Sequence, residues 1–321
     1  MIPTIYDFLT PAQRNDVKAR TMTVDVSGPV QIAINEVAAN YGNTPMGQLW
    51  APAGAYRLDK PIFQPSSVVI IGAGQGRSEP YSLANTQFVW AGDTGTDMWT
   101  FGANGSGNTA GGGAQRIRFD AGGRADSAFT VRDATAFTLE SLEITNGVKR
   151  GLYLNNTPTQ PYPTFGFYCR NLSIFQRWQT PDANGIELYT PSPCTPPAGI
   201  AAGQWDMCTV QHSNGAGVLI NGGDNHLWNR LLTFRDNSET GPGVWFATPV
   251  ADGVTSGGHM FINAACSGGF RFDNASTFIG TRLINYDDYD INTGVTPIFG
   301  AAADSVVATT QSGKCWGKQC S

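Results

Sequence analysis

The chain has 321 residues, of which 41% are hydrophobic and 11% aromatic, enough apolar material for a substantial core and too much for a disordered chain. Only 14% of residues are charged while 39 are glycine, a balance that argues against long charged helices and for many short strands joined by turns. A formal net charge of −5 offers no basic footprint for a polyphosphate backbone, which excludes nucleic acid as a partner.

The opening stretch MIPTIYDFLTPAQRNDVKAR has no basic region followed by an apolar run, and no later segment approaches the roughly 20 apolar residues of a membrane span. The sequence therefore reads as a soluble protein without a Sec leader or membrane insertion. In GPVQIAINEVAANYG, Val30, Ala33, Ile34, Val37 and Ala38 fall at helical spacing, with Ser27 expected as N-cap and Gly42 as the stop. Two β-rich stretches follow, LWAPAGAYRLDKPI and SSVVIIGAG, the first turning at Pro52–Gly54 and the second carrying a buried strand from Val68 to Ile71. Gly72 and Gly74 imitate a phosphate-binding turn, but QGRSEPYS after them is no helix.

From about residue 111 the chain repeats itself. Each unit is apolar-x-apolar, a variable turn, then Gly-apolar-x-apolar: SLEITNGVKRGLYL, NLSIFQRWQTPDANGIEL, CTVQHSNGAGVLI, LLTFRDNSETGPGVWF and AACSGGFRF, with RIRFDAGGRADSAFTV as an earlier copy and TRLINYDDYDI as a later one. The marker glycines are Gly151, Gly185, Gly217, Gly243 and Gly269. A solenoid accounts for this pattern, each unit forming one coil with its strands stacked in parallel on its neighbours and length differences absorbed in loops. Alternation along the glycine-led strand points Leu152, Leu154, Ile186, Leu188, Val218, Ile220, Val244, Phe246, Phe270 and Phe272 inward and leaves an outward ladder of Tyr153, Glu187, Leu219, Trp245 and Arg271. The other strand predicts the outward ladder Arg118, Glu143, Ser173, Thr209 and Thr233.

The expected fold is all-β, a right-handed parallel β-helix with a short N-terminal capping helix, because stacked coils leave edges that must be covered. Residues 1–42 form the N-terminal segment and cap, 43–290 the β-helix, and 291–321 a C-terminal cap or inter-subunit segment. Cys169, Cys194, Cys208 and Cys266 read as buried thiols, whereas Cys315 and Cys320 in KCWGKQC could close a small terminal loop or hold a metal. With three histidines and no D-x-D-x-D run, no metal and no cofactor are expected.

The residues IYDFLTPAQRNDVKA, the helix VQIAINEVAA, then APAGAYRL and VVIIGAG resemble the N-terminal region of bacteriophage tail-spike and tail-fibre proteins with a pectate-lyase-like β-helix. That order covers residues 5–74, and the repeats extend it to about residue 290. The resemblance implies a homotrimer on the virion tail, exposed to the medium among other tail proteins, bound to capsule or lipopolysaccharide. It departs from many such spikes in being short, so attachment through an adaptor or through the first few residues is expected.

Sugar sites on open faces combine aromatic rings with carboxylates and hydrogen-bonding groups. Tyr153, Trp245, Arg271 and, in the loop FQRWQTPDAN, Trp178 are the expected substrate contacts, although the same ladder would also suit a neighbouring subunit. Hydrolysis needs two carboxyl groups, and the expected pairs are Glu187 with Asp182 and Asp236 with Glu239, with Asp206 a weaker choice. A lyase would instead use a base and a cation, roles open to Arg235, Arg271 and His212. Asp287, Asp288 and Asp290 read as a solvated end of the last coil. Three functions stay open: a receptor-binding spike that holds and cleaves polysaccharide, a non-catalytic fibre, and a free bacterial polysaccharide-degrading enzyme.

Overall fold

The computed structural model describes residues 2–41, 47–76, 84–102, 109–157, 164–176, 181–190, 199–235, 239–247, 257–273, 281–286, 307–310 and 315–316. Two helices open the chain, α1 over Pro11–Ala19 and α2 over Ser27–Tyr41, after a 3-10 turn at Ile5–Phe8. The first is started by a capping box in which Thr10 and Gln13 satisfy each other's backbone N–H groups, with Pro11 at the first helical position. In α2, Val30, Ala33, Ile34 and Val37 are buried against the first coil, as the helical spacing requires.

Ser27 does not cap its own helix, contrary to expectation. It is the first helical residue, and its hydroxyl accepts from the backbone of Asp59 at 2.9 Å and of Lys60 at 3.0 Å while donating to Asp25. The hydroxyl fastens helix to coil instead. Gln31 does the same for an open strand edge, taking the N–H of Phe63 at 2.8 Å and donating to its carbonyl at 2.7 Å. Pro3 accepts from Trp50 in a like manner, so the N-terminal segment covers two edges of the first coil.

Each coil then contributes strands to three parallel ladders. The first runs from Gly47–Ala51 through Val68–Gly72 and, further on, Tyr168–Arg170, Gln204–Asp206, Leu227–Asn229 and Met260–Ile262 to Arg282–Tyr286. The second includes Gly54–Leu58, Thr86–Trp90, Ser173–Phe175, Thr209–Gln211 and Leu232–Phe234. Gly113–Asp120 and Thr138–Thr145 are long enough to serve both, which joins the two ladders into one sheet. The third is a separate 8-stranded sheet from Ile62–Pro65 to Phe270–Phe272. This is a right-handed parallel β-helix, the hand that crossovers between parallel strands take.

Two columns of special residues make the corners. Between the first and second ladders the chain bends at one left-handed residue per coil, Arg116, Ser141, Asn171, Met207, Arg230 and Asn263, all with φ between 52° and 57°. Where the second ladder turns into the third stand the marker glycines. A Cβ on Gly185 would lie 2.1 Å from Val210 Cγ1, and one on Gly217 would lie 2.6 Å from the Gly243 carbonyl. The corner has no room for a side chain, which is why the glycine repeats.

The buried strand expected at Val68–Ile71 lies on the first ladder, but the two-strand repeat beyond residue 111 contains only the second and third. TRLINYDDYDI, expected as a later copy of the unit, places Arg282–Tyr286 on the first ladder. One register also differs: Thr209 pairs with Leu232, so Leu232 faces out and Thr233 is buried beside Val210. The interior is aromatic throughout, with Tyr56, Phe88 and Phe119 stacked near the cap and Trp205, Trp228 and Phe261 stacked further along. Cys169, Cys208 and Cys266 are buried free thiols, while Cys194 and Cys320 lie outside the described residues. Val307–Thr310 adds a parallel strand beyond Arg282–Tyr286, and Cys315–Trp316 returns antiparallel to it.

Candidate functional site

The outward ladder of the third sheet has the register expected of it. Tyr153 pairs with Glu187, Glu187 with Leu219, Leu219 with Trp245, and Trp245 with Arg271, one rung apart at each step. Their neighbours in each strand, Leu152, Leu154, Ile186, Leu188, Val218, Ile220, Val244, Phe246 and Phe270, are buried, so the strand period alone turns these side chains outward.

Around them the sheet assembles residues that the sequence reading passed over. Arg150 stands on the Tyr153 strand with its guanidinium 3.7 Å from the phenol ring centroid and Nη1 3.8 Å from Glu187 Oε1. Glu187 is positioned by Asn184, whose side-chain amide donates to Oε2 at 3.0 Å. Tyr189 lies 6.3 Å from Tyr153, ring centre to ring centre. Further along, Trp245 Nε1 donates to Asp273 Oδ2 at 2.9 Å and the Arg271 guanidinium covers the indole at 4.2 Å. The missed signal was simple alternation: Tyr189 follows Glu187, and Asp273 follows Arg271, by two residues.

Tyr153 differs from the exposed platform expected, being only 8% accessible. Burial pushes its phenol up to about 12, so it stays a neutral support beneath Arg150. His212 lies inside the coil and not on the outer strip. Its ring is fully buried with Nδ1 3.0 Å from the Gly215 carbonyl, and burial lowers it to about 4, so it is neutral and out of reach of a polymer outside. All three histidines of the chain share this fate; His226 and His259 stack at 5.2 Å in the core.

The remaining expected residues are dispersed. Asp182 is exposed on the turn before the Glu187 strand, where Asn214 donates to it at 3.4 Å. Arg235 donates to the Glu239 carbonyl in the turn that follows the second ladder, near His212. Asp206 sits on the first ladder, held by Arg230 at 2.7 Å and Asn229 at 2.8 Å. Trp178, Asp236, Asp287, Asp288 and Asp290 lie outside the described residues. On the second ladder an unforeseen ion cluster joins Arg118 to Asp120 at 3.1 Å and to Glu143 at 3.2 Å, all three side chains no more than 14% exposed.

No protein-family profile matches the chain, and no curated protein sequence matches it. Solved structures do. The pre-mature gene product 12 of bacteriophage phi29 matches with a TM-score of 0.55 at 13% identity, over 96% of this chain and 36% of that one. The phiAB6 tailspike, solved with three-repeated oligosaccharides of Acinetobacter baumannii surface polysaccharide, matches with a TM-score of 0.52 at 12% identity, over 88% of this chain and 46% of that one. The catalytic unit of a GH87 alpha-1,3-glucanase from Streptomyces thermodiastaticus gives 0.51 at 15% identity, over 89% and 55%. The likeness is one of fold. The chain spans about half the length of these structures or less.

Proposed function

We propose that this chain is the β-helical part of a bacteriophage tail spike or fibre, and that it holds bacterial surface polysaccharide along the outer strip of its third sheet. The observation that carries the reading is the in-register run of Tyr153, Glu187, Trp245 and Arg271, joined by Arg150, Asn184, Tyr189 and Asp273 on one face. An extended ligand suits an extended row of polar and aromatic groups better than an enclosed pocket would. The shared fold with a phage tailspike and a polysaccharide hydrolase is consistent with this reading. In this reading the chain sits on the virion tail among other tail proteins, exposed to the medium, as a homotrimer.

Holding is better supported than cleavage. Glu187 and Asp273 stand three rungs apart, about 14 Å or more by strand spacing, beyond the roughly 5–9.5 Å that separates hydrolytic carboxyl pairs. A hydrolytic partner for Glu187 would have to come from a turn, and Asp182 is the nearest in sequence.

The test is to present purified capsule and lipopolysaccharide to the protein and to measure binding, new reducing ends and unsaturated products together. Binding that is weakened by Trp245→Ala and Glu187→Gln supports the reading. Binding that both substitutions leave intact moves the site off this face. A mass in solution of one chain would remove the trimer from the proposal.

A further inference from the structure

The outer strip holds two stations built alike. At the first, the Arg150 guanidinium lies over the Tyr153 ring at 3.7 Å and its Nε donates to Ser127 Oγ at 3.3 Å. At the second, the Arg271 guanidinium lies over the Trp245 ring at 4.2 Å and its Nε donates to Asp273 Oδ1 at 3.0 Å, while Trp245 Nε1 donates to the other carboxylate oxygen at 2.9 Å. In each case an aromatic ring braces the guanidinium plane, and the Nε corner is tied to the protein.

That arrangement leaves the two terminal amino groups of each arginine as the working edge. Among the described residues, the terminal nitrogens of Arg271 have no partner. Those of Arg150 meet only Glu187, at 3.8 Å, which is too long for a hydrogen bond. Glu187 is instead held by Asn184 at 3.0 Å. A guanidinium held in plane with terminal amino groups uncommitted matches the two oxygens of a carboxylate, and its order is already established before the ligand arrives; the Arg271 side chain is 49% exposed and that of Arg150, at 15%, offers a narrower edge. A neutral glycan would be served by open ring faces. Here the guanidinium groups cover them, and Tyr153 is only 8% accessible.

We infer that the polysaccharide held by this face is an acidic one, whose sugar carboxylates are taken by Arg150 and Arg271. The inference rests on the polysaccharide-binding reading and adds the ligand class to it. The bracing rings Tyr153 and Trp245 are three rungs apart and the strands that carry Arg150 and Arg271 are four apart, so the two stations are separated by about 14–19 Å. A segment of several sugars, with carboxylates recurring near that distance, engages both.

The experiment uses a panel of purified capsular polysaccharides, acidic and neutral, with each acidic polymer also presented after chemical reduction of its carboxyl groups to alcohols. The unaltered chain is expected to bind one or more acidic polymers and to lose at least about tenfold in affinity when those polymers are reduced. Arg150→Gln and Arg271→Gln are each expected to cost about tenfold, with unchanged thermal melting. Binding confined to neutral polymers, or binding that survives carboxyl reduction, overturns the inference and leaves the proposed function standing. Binding to no polysaccharide at all overturns the proposed function itself. The carboxyl-reduction arm needs no variant, so a poorly folding Arg150→Gln does not blunt the test.

Discussion

The coils under the N-terminal cap and the coils beyond residue 200 share one architecture but differ in what fills it. Under the cap the interior is Tyr56, Phe88, Trp99, Phe119 and Phe129, packed ring on ring. Beyond residue 200 it is the stack of Trp205, Trp228 and Phe261, alongside three buried histidines. His226 is locked on both sides, taking the Gly203 N–H at 3.2 Å on Nδ1 and facing the Ile200 carbonyl at 3.1 Å with Nε2. Among the described residues, the ring stack of the first region holds no histidine. The second holds imidazoles that burial favours in the neutral form. Parallel stacking therefore tolerates polar filling, but it hands the two halves of the solenoid different sensitivities.

Removing a stacked ring should have the largest effect. Trp228→Ala takes out a fully buried indole between Trp205 and Phe261, and about 3–5 kcal/mol of stability is expected to go with it. Chemical denaturation read by hydrogen exchange should show loss first beyond residue 200; uniform loss along the chain would mean the two regions unfold as one. Next comes the glycine corner. Gly185→Ala puts a Cβ 2.1 Å from Val210 Cγ1 and is expected to cost about 1–3 kcal/mol or prevent folding.

Acid should separate the regions by window. Burial lowers His212 and His226 to about 4 and His259 well below its usual value. Their unfolded forms protonate near 6.5, so the stability they support is complete above that pH and is lost as pH falls from 6.5 toward 4. At pH 5 the loss is about 2 kcal/mol for each of His212 and His226. In the cap, burial raises Asp16 and Asp25, but hydrogen bonds from Thr21 and Thr23 to Asp16, and from Ser27 and the Asp59 backbone to Asp25, outweigh it and hold both below the usual carboxylate range. Their contribution is present above about 3.8 and is lost only as pH falls below it. Exchange at pH 5 should therefore quicken beyond residue 200 while the cap stays protected; the reverse order would contradict the assignment. The smallest effect is expected at Gly28→Ala, where the new methyl meets nothing within 4 Å in the first turn of α2, and stability should rise by about 0.5 kcal/mol, read as a higher melting temperature.

Much of this was legible because a solenoid writes its period into the chain. The marker glycines and the alternation after them located the third sheet, its inward residues and its outward ladder. Beyond Val68–Gly72 the first ladder was illegible for a physical reason: strands such as Tyr168–Arg170 and Leu227–Asn229 have three residues, too few to show a period, and single left-handed residues rather than glycines separate them from the second ladder. The same shortness hid the register at Leu232. Of the candidate site, the column was readable but its lateral partners were not. Arg150 precedes Tyr153 by three residues, which strict alternation would place on the opposite face. The burial of His212 was not legible, because the polar stretch Gln211–Asn214 carries no apolar period, while the coil folds its ring inside against the Gly215 carbonyl.

Oxidative footprinting of the protein with and without a bound surface polysaccharide measures the central claim most directly, since each face carries its own oxidisable residues. The account predicts protection of Trp245 and Tyr189 on the third sheet, with Tyr168 and Met260 on the first ladder unchanged. Protection of Tyr168 and Met260, with Trp245 left open, would contradict it.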